Sequence, residues 1–503
     1  MKYYPSILSA LHYIALPLLT SCQAQAPESH TLRIGLASAP ISLDPRFSTD
    51  AASHRVQELI HCGLVQLGED FLPQTNLAES WLHPDPYTWQ FTLRQDYRFH
   101  NQQPVTSADV AATIRGILNT ELASPLRAGF SSIKNIETPD AYHLNITLKQ
   151  PDASLLTRLN VGILPAAEAS KPHQAKQAMG CGAFQLQSWS STTLSLKKAK
   201  KSNSNIQYID ILTIKDPVTR VLKLVRQEID FTQNDLPPHL LPWLKKQAHI
   251  HISHQPSTTF SYLGLNMLDD TLQHQKVRQA LALALDRNLF KHALFGDLPT
   301  LGESILTPKH WASISIKTTP FDPEKAELLL DEAGFPRNAQ GIRFSLNYRT
   351  STNPTRLRLV TAIADAWQKI GIDVSIESLE WGGFYARIKR GDFQVFSLSW
   401  VGITDPDIYR WILHTDMQPP KGANRGRYSN VQVDAWLDAA AISEDIEERQ
   451  RLYRLIQQQM HDDQVYIPLW FDAVVAVSGA RLRGFQPRND GSLLPLLEAH
   501  LQD

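Results

Sequence analysis

Phe393–Asp407 reads FQVFSLSWVGITDPD. Its first part, Phe393 to Trp400, is a nearly all-apolar run of strand length, closed by Gly402 and followed by a short acidic loop. A run without alternation reads as a strand covered on both faces. Toward the N-terminus, Asp322 suits a helix cap, Pro323 its first turn and Gly334 its end. Ile342, Phe344, Leu346 and Tyr348 then alternate as a strand, and a helix from Thr355 to Ile370 ends at Gly371. Ile372, Val374 and Ile376 make a second strand, and a helix from Gly383 to Arg390 ends at Gly391. Strand, helix, strand, helix, strand is the pattern of a parallel sheet with crossover helices. Trp400 therefore stands at a strand's carboxyl end, where open α/β sheets hold ligands. The ring offers a stacking face and Asp405 a charge. Beyond the loop, Asn430 and Ser443 suit two helix caps, and Tyr466 to Trp470 is an apolar strand.

A chain of 503 residues exceeds one ordinary core, so two or three domains are expected. Lys+Arg 49 against Asp+Glu 50 gives a net charge of −1, with no basic block. Binding to a nucleic-acid backbone needs clustered cations, so that partner class is disfavoured and no nucleic acid is expected.

Residues 1–22 have the layout of an export signal: Lys2, an apolar segment from Ile7 to Leu19, then Leu19-Thr-Ser-Cys22. The ending resembles a bacterial lipobox, which implies that Cys22 is acylated and becomes the mature N-terminus; a plain secretory signal cut nearby is the alternative. Residues 23–29 are polar and Pro-containing, as a tether would be. Cys62 and Cys181 then remain, either as a disulfide or as two buried thiols.

Earlier in the chain come Leu43-Asp-Pro45, Leu77-Ala-Glu-Ser-Trp81 and the alternating strand Tyr87 to Arg94. Phe99-His-Asn-Gln102 follows, then a helix start in which Asp109 follows Thr106 by three residues. These pieces, in this order, resemble the extracytoplasmic solute-binding proteins of peptide-type ABC importers, family 5. That family's FHDG turn is here Phe99-His-Asn-Gln102, without the glycine. Further on, Met179 to Phe184, Asp216-Pro-Val-Thr-Arg220, Tyr262-Leu-Gly-Leu-Asn266 and Val277 to Arg287 continue the resemblance.

The resemblance implies an α/β, periplasmic-binding-protein-like fold (cluster C): two lobes around a cleft with an extra inserted domain. Lobe I would hold residues 30–63, 180–262 and 472–503, the inserted domain 64–179, and lobe III 263–471. It implies capture of a solute, a peptide by default, and delivery to an ABC permease by a monomer at the extracytoplasmic face of the cell envelope. An oligosaccharide, an opine-like compound, a metal chelate or haem is the alternative cargo, and a receptor without transport is the alternative role. Carried over position by position, the ligand-binding residues are Thr49, Asp50, Asn234, Asp235, Tyr262, Trp381, Tyr385, Trp400, Val401 and Gly402; the loop acid Asp405 joins them from its place beyond Trp400. Arg425, flanked with Arg427 by glycines, suits an anionic ligand group or a pairing with Asp405 or Asp407.

One departure bears on the cargo. Peptide binders of the family place an aspartate three residues after the loop tryptophan, where it meets the peptide ammonium; Ile403 stands there. Asp405 or Asp50 would have to take over, or the ligand has no free amine at that point. The chain carries no G-x-S-x-G, H-E-x-x-H, phosphate-loop or dinucleotide glycine motif, so no enzyme and no cofactor are expected. His249 and His251 fall on one face of an alternating run; the polar face of a half-buried strand is favoured over a metal pair.

Overall fold

A computed structural model describes residues 30–176, 178–200 and 202–502. The expected signal segment, Cys22 and the tether lie outside the described residues.

The apolar run forms the strand Val395–Trp400, two residues shorter at its start than expected because Phe393 and Gln394 still belong to the turn after Gly391. Its first four residues are buried on both faces. Phe384, Ile388, Tyr409 and Tyr453 pack on one side of this part of the sheet. Leu281, Val360 and Trp367 pack on the other. Phe344–Ser351 runs parallel to both Ile372–Leu379 and Val395–Trp400, as crossover helices require. The crossover helices are Pro354–Lys369 and Trp381–Arg390, the second starting two residues earlier than expected, with Glu380 as its cap. Asn430 caps Val431–Ile442 as expected, but Ser443 ends that helix; the next helix, Ile446–Asp462, is capped by Asp445.

Two long antiparallel strands, Ile250–Leu265 and Tyr466–Gly479, run through the middle of one eleven-stranded sheet. The expected exit strand Tyr466–Trp470 is thus the first part of a longer one. Phe260 to Leu265 pairs with Val395–Trp400 on one side of the molecule. Ile250 to Pro256 pairs with Ala473 to Gly479, next to Phe231–Gln233 and Thr31–Leu36 on the other. Their register shifts between Pro256 and Phe260, so the ribbon breaks its regular pleat between the two lobes. The architecture is α/β with two lobes, each covering part of the sheet.

A separate four-stranded sheet, in the order Ala78–Asp85, Thr88–Leu93, His143–Leu148, Ile133–Asp140, carries its own core. Trp89, Phe91, Leu144 and Ile146 alternate inward against the helix Ser107–Leu118. That helix opens with the capping box formed by Thr106 and Asp109. Asp44 and Arg46, both fully buried, pair at 2.7 Å, and Arg46 Nη1 donates to the carbonyl of Ala169 at 2.6 Å. Cys62 and Cys181 form a disulfide, Cα–Cα 5.3 Å, which resolves the choice left by the sequence.

Candidate ligand-binding site

At the carboxyl end of Val395–Trp400, Trp400 pairs across the sheet with Phe260. The Trp400 ring lies parallel to Tyr262, centroids 6.0 Å apart and planes 3° apart, and Tyr262 stacks on Tyr466 at 4.2 Å. Helix Trp381–Arg390 adds a second parallel pair, Trp381 over Tyr385 at 5.5 Å and 7°. Trp381 keeps 53% of its surface exposed, and Tyr262 none. Between the two pairs sits Arg425. Its guanidinium carbon lies 4.8 Å from the Trp400 ring and 5.5 Å from the Tyr385 ring. Nη1 donates to the Tyr262 hydroxyl at 3.3 Å and Nη2 to the Tyr385 hydroxyl at 3.1 Å. Five of the residues expected from the sequence, Tyr262, Trp381, Tyr385, Trp400 and Arg425, thus form one continuous patch.

The loop beyond Trp400 divides. Val401 is 76% exposed, and Gly402 holds φ +71 with open space around its missing Cβ. Ile403 turns inward: its N–H donates to the Thr258 carbonyl at 3.1 Å and its side chain is buried in the core. The position that peptide binders give to an acid is therefore filled here by a core residue.

Asp405 points toward the four-stranded domain. It accepts hydroxyl bonds from Ser154 at 2.9 Å and Thr157 at 2.7 Å, and the Asp407 N–H at 2.9 Å. Asp407 shares Ser154, at 2.6 Å, and is also bonded by the Tyr453 hydroxyl. Burial first, then the neighbouring Asp405 charge, pushes the Asp407 carboxyl above its ordinary value. The expected pairing of Arg425 or Arg427 with Asp405 or Asp407 does not occur: Arg425 meets phenols, and Arg427 Nη1 donates to Gln418 Oε1 at 3.4 Å.

On the other lobe, Thr49 is exposed and Asp50 opens a helix. It caps the helix Ala51–Ile60, accepting from Ser53 N–H at 2.8 Å and Ser53 Oγ at 2.5 Å. Asn234 and Asp235 both hold positive φ, +61 and +52. The Asn234 backbone N–H donates to the Val475 carbonyl at 2.8 Å and its side-chain Oδ1 accepts the Val475 N–H at 2.9 Å, while Asp235 offers its carbonyl to Arg220.

Two cavities adjoin these parts. The larger, about 1200 Å³, runs between helix Ala51–Ile60 and the four-stranded domain and reaches Thr258, Gly402 and Thr404. The smaller, about 380 Å³, lies at the hinge and takes in Asn234, Asp235, Ser261, Arg356, Ser399 and Asp472. Since strand side chains alternate, Ser399 faces away from Trp400, and this hinge cavity opens on the opposite face of the sheet. There Arg356 Nη2 donates to Ser399 Oγ at 3.0 Å, and Ser399 and Ser261 hydroxyls meet at 2.9 Å. Burial raises the Asp472 carboxyl, with Arg356 opposing. Asp472 escaped the sequence reading, although an acid inside YIPLWFDAVVAV was a signal available there.

His249 stands just before the strand Ile250–Leu265, not on it. Its Nε2 donates to the Val225 carbonyl at 3.0 Å, and His251 meets Arg483. Among the described residues no group of three potential metal ligands gathers.

Residues 73–418 match the family model described as bacterial extracellular solute-binding proteins, family 5 Middle. The glutathione-binding protein GsiB of Salmonella paratyphi A is 27% identical over 479 residues, 90% of this chain and 91% of that one. HbpA2 from Haemophilus parasuis superposes with a TM-score of 0.84 at 23% identity, covering 94% of this chain and 100% of that one. DppA from Helicobacter pylori in complex with peptide STSA superposes at 0.72 with 25% identity, covering 94% and 98%. Two lobes joined by a strand ribbon, a ring-lined patch at a strand end and a family match across most of the chain agree: the protein belongs to the bacterial extracellular solute-binding proteins of family 5.

Proposed function

We propose that the chain captures a peptide or peptide-like acid between its lobes and delivers it to an ABC permease. The observation that carries this reading is Trp400 at the carboxyl end of its strand, stacked and part-exposed beside the hinge ribbon. Relatives named for glutathione and for a bound peptide support the same class. An extended ligand there would gain affinity from main-chain bonds and side-chain pockets. Lobe closure, without chemistry on the ligand, would commit it to transport. In this reading, residues 30–63, 180–262 and 472–503 move as lobe I with the inserted domain 64–179, against lobe III, 263–471. Thr49, Asp50, Asn234, Asp235, Val401 and Gly402 complete the cleft edges. The protein works as a monomer at the extracytoplasmic face, held by lipid on Cys22. The Cys62–Cys181 disulfide supports an oxidising, exported location.

The buried Ile403 favours a second reading, a cargo without a free ammonium at that point, such as an opine-like compound, a sugar or a metal chelate. A melting-temperature screen over peptides, sugars and chelates separates the two. A micromolar ligand at millimolar concentration stabilises by about 4 kcal/mol. Shifts confined to non-peptides would remove the peptide reading. Unchanged membrane retention of Cys22→Ala would remove the lipid anchor.

A further inference from the structure

Arg425 is mounted rigidly. Asn424, 1% exposed, donates through Nδ2 to the carbonyls of Leu413, His414 and Tyr428. The carbonyl of Gly426 receives the Met267 N–H at 2.9 Å, and a Cβ on Gly426 would meet the Leu265 carbonyl at 2.6 Å. The loop is thus pinned on both sides of Arg425, at Asn424 to the end of the helix Ile408–Leu413 and at Gly426 to the end of the strand Ile250–Leu265, and the guanidinium is fixed before any ligand arrives.

Its partners are all neutral. Two aromatic rings hold its faces and two phenol oxygens take one N–H each, out of five that a guanidinium carries. Burial keeps the Tyr262 hydroxyl well above its ordinary value, so that group supplies no negative charge. The acids that the sequence offered as its counterions are engaged elsewhere: Asp405 with Ser154 and Thr157, Asp407 with Ser154 and Tyr453. Among the described residues no carboxylate forms an ion pair with Arg425. A cation held between rings with spare N–H groups, and about to lose water when the lobes close, lacks a counterion.

Resting on the solute-binding reading above, we infer that the cargo is an acid whose carboxylate docks on Arg425, making this arginine the specificity residue. The remaining N–H groups form the planar fork that accepts a carboxylate through two bonds. The Trp381–Tyr385 pair then supplies a flat apolar wall beside that carboxylate. With Ile403 turned into the core where peptide binders present an acid to the amine, the ligand is anchored by its negative end.

The test uses matched pairs on the full chain: trialanine and its C-terminal amide, glutathione and its glycine ethyl ester, galacturonate and galactose. Affinities are measured by calorimetry for the wild type, Arg425→Gln and Arg425→Lys, with circular dichroism of each unliganded variant to confirm folding. The expected result is that one acid binds at least about tenfold more tightly than its neutral partner. Arg425→Gln erases that difference and Arg425→Lys keeps part of it. Equal binding of acid and neutral partner, an unaltered preference in Arg425→Gln, or binding by no acid at all overturns the inference. A peptide that binds equally as acid and amide leaves the peptide reading standing without this one. Galacturonate bound through Arg425, with no peptide bound, does the reverse.

Discussion

Gln102 occupies a position that glycine fills in the related turn, and it keeps the same backbone shape at φ +73. Its N–H closes the turn on the Phe99 carbonyl at 2.8 Å, while its side chain is exposed. A left-handed residue other than glycine costs about 1–2 kcal/mol, of which glycine's larger unfolded-state entropy returns a part. Gln102→Gly is therefore expected to raise stability by about 0.5–1 kcal/mol, read as a higher urea midpoint at unchanged slope. The missing glycine was legible in the sequence; the conformation that tolerates its loss was not, since glutamine carries no local preference for it. Asp405 illustrates the opposite case. Its residue type and position pointed to a ligand, but its partner Ser154 lies 251 residues away, beyond any periodic or motif signal. Removing the two hydroxyl bonds by Asp405→Ala should cost about 1–3 kcal/mol in chemical unfolding.

The helix Ala51–Ile60 shows what an element adds. Its end delivers His61 into a buried niche where a Cβ on Gly162 would meet the His61 Cβ at 2.6 Å. Nε2 donates to the Leu43 carbonyl at 3.0 Å. Burial lowers the ring's proton affinity to about 4, from an ordinary 6.5. The folded state therefore excludes a proton that the unfolded chain accepts. The stability tied to this neutral ring is complete above pH 6.5 and is lost as pH falls from 6.5 through about 4. Each such group contributes a slope of up to about 1.4 kcal/mol per pH unit. His310, also lowered to about 4 by burial, adds a second. Across pH 7 to 4.5, His61→Asn should show a shallower decline in unfolding free energy than the wild type; parallel curves would place the acid sensitivity elsewhere. At this scale the sequence was most readable. Alternation at Phe344, Leu346 and Tyr348 and the stops at Gly371 and Gly391 marked real strands and helix ends. The expected cap Ser443 missed the observed one, Asp445, by two residues, because cap chemistry fixes a neighbourhood before it fixes a residue.

For the molecule as a whole, the two-lobed α/β form was legible because ordered motifs and the strand-helix rhythm agreed. The hinge cavity on the back face was not, since it assembles Asn234, Arg356 and Asp472 from three distant segments. The ribbon Ile250–Leu265 with Tyr466–Gly479 is the sole β-pairing that carries the main sheet from one lobe to the other among the described residues. Closure on a ligand should therefore be a bend of that ribbon, seen as a smaller radius of gyration by X-ray scattering when a saturating ligand is added; an unchanged radius with proven binding would mean that the lobes do not close. The disulfide has a different kind of consequence. Cys62 and Cys181 stand 119 positions apart and enclose the whole four-stranded domain in a covalent ring. A protease that cuts any loop inside that ring opens it without releasing a fragment. The nicked protein keeps its full mass on a gel until a reductant is added, and only then separates into two pieces. A protein so built survives a break in its four-stranded domain as a single molecule.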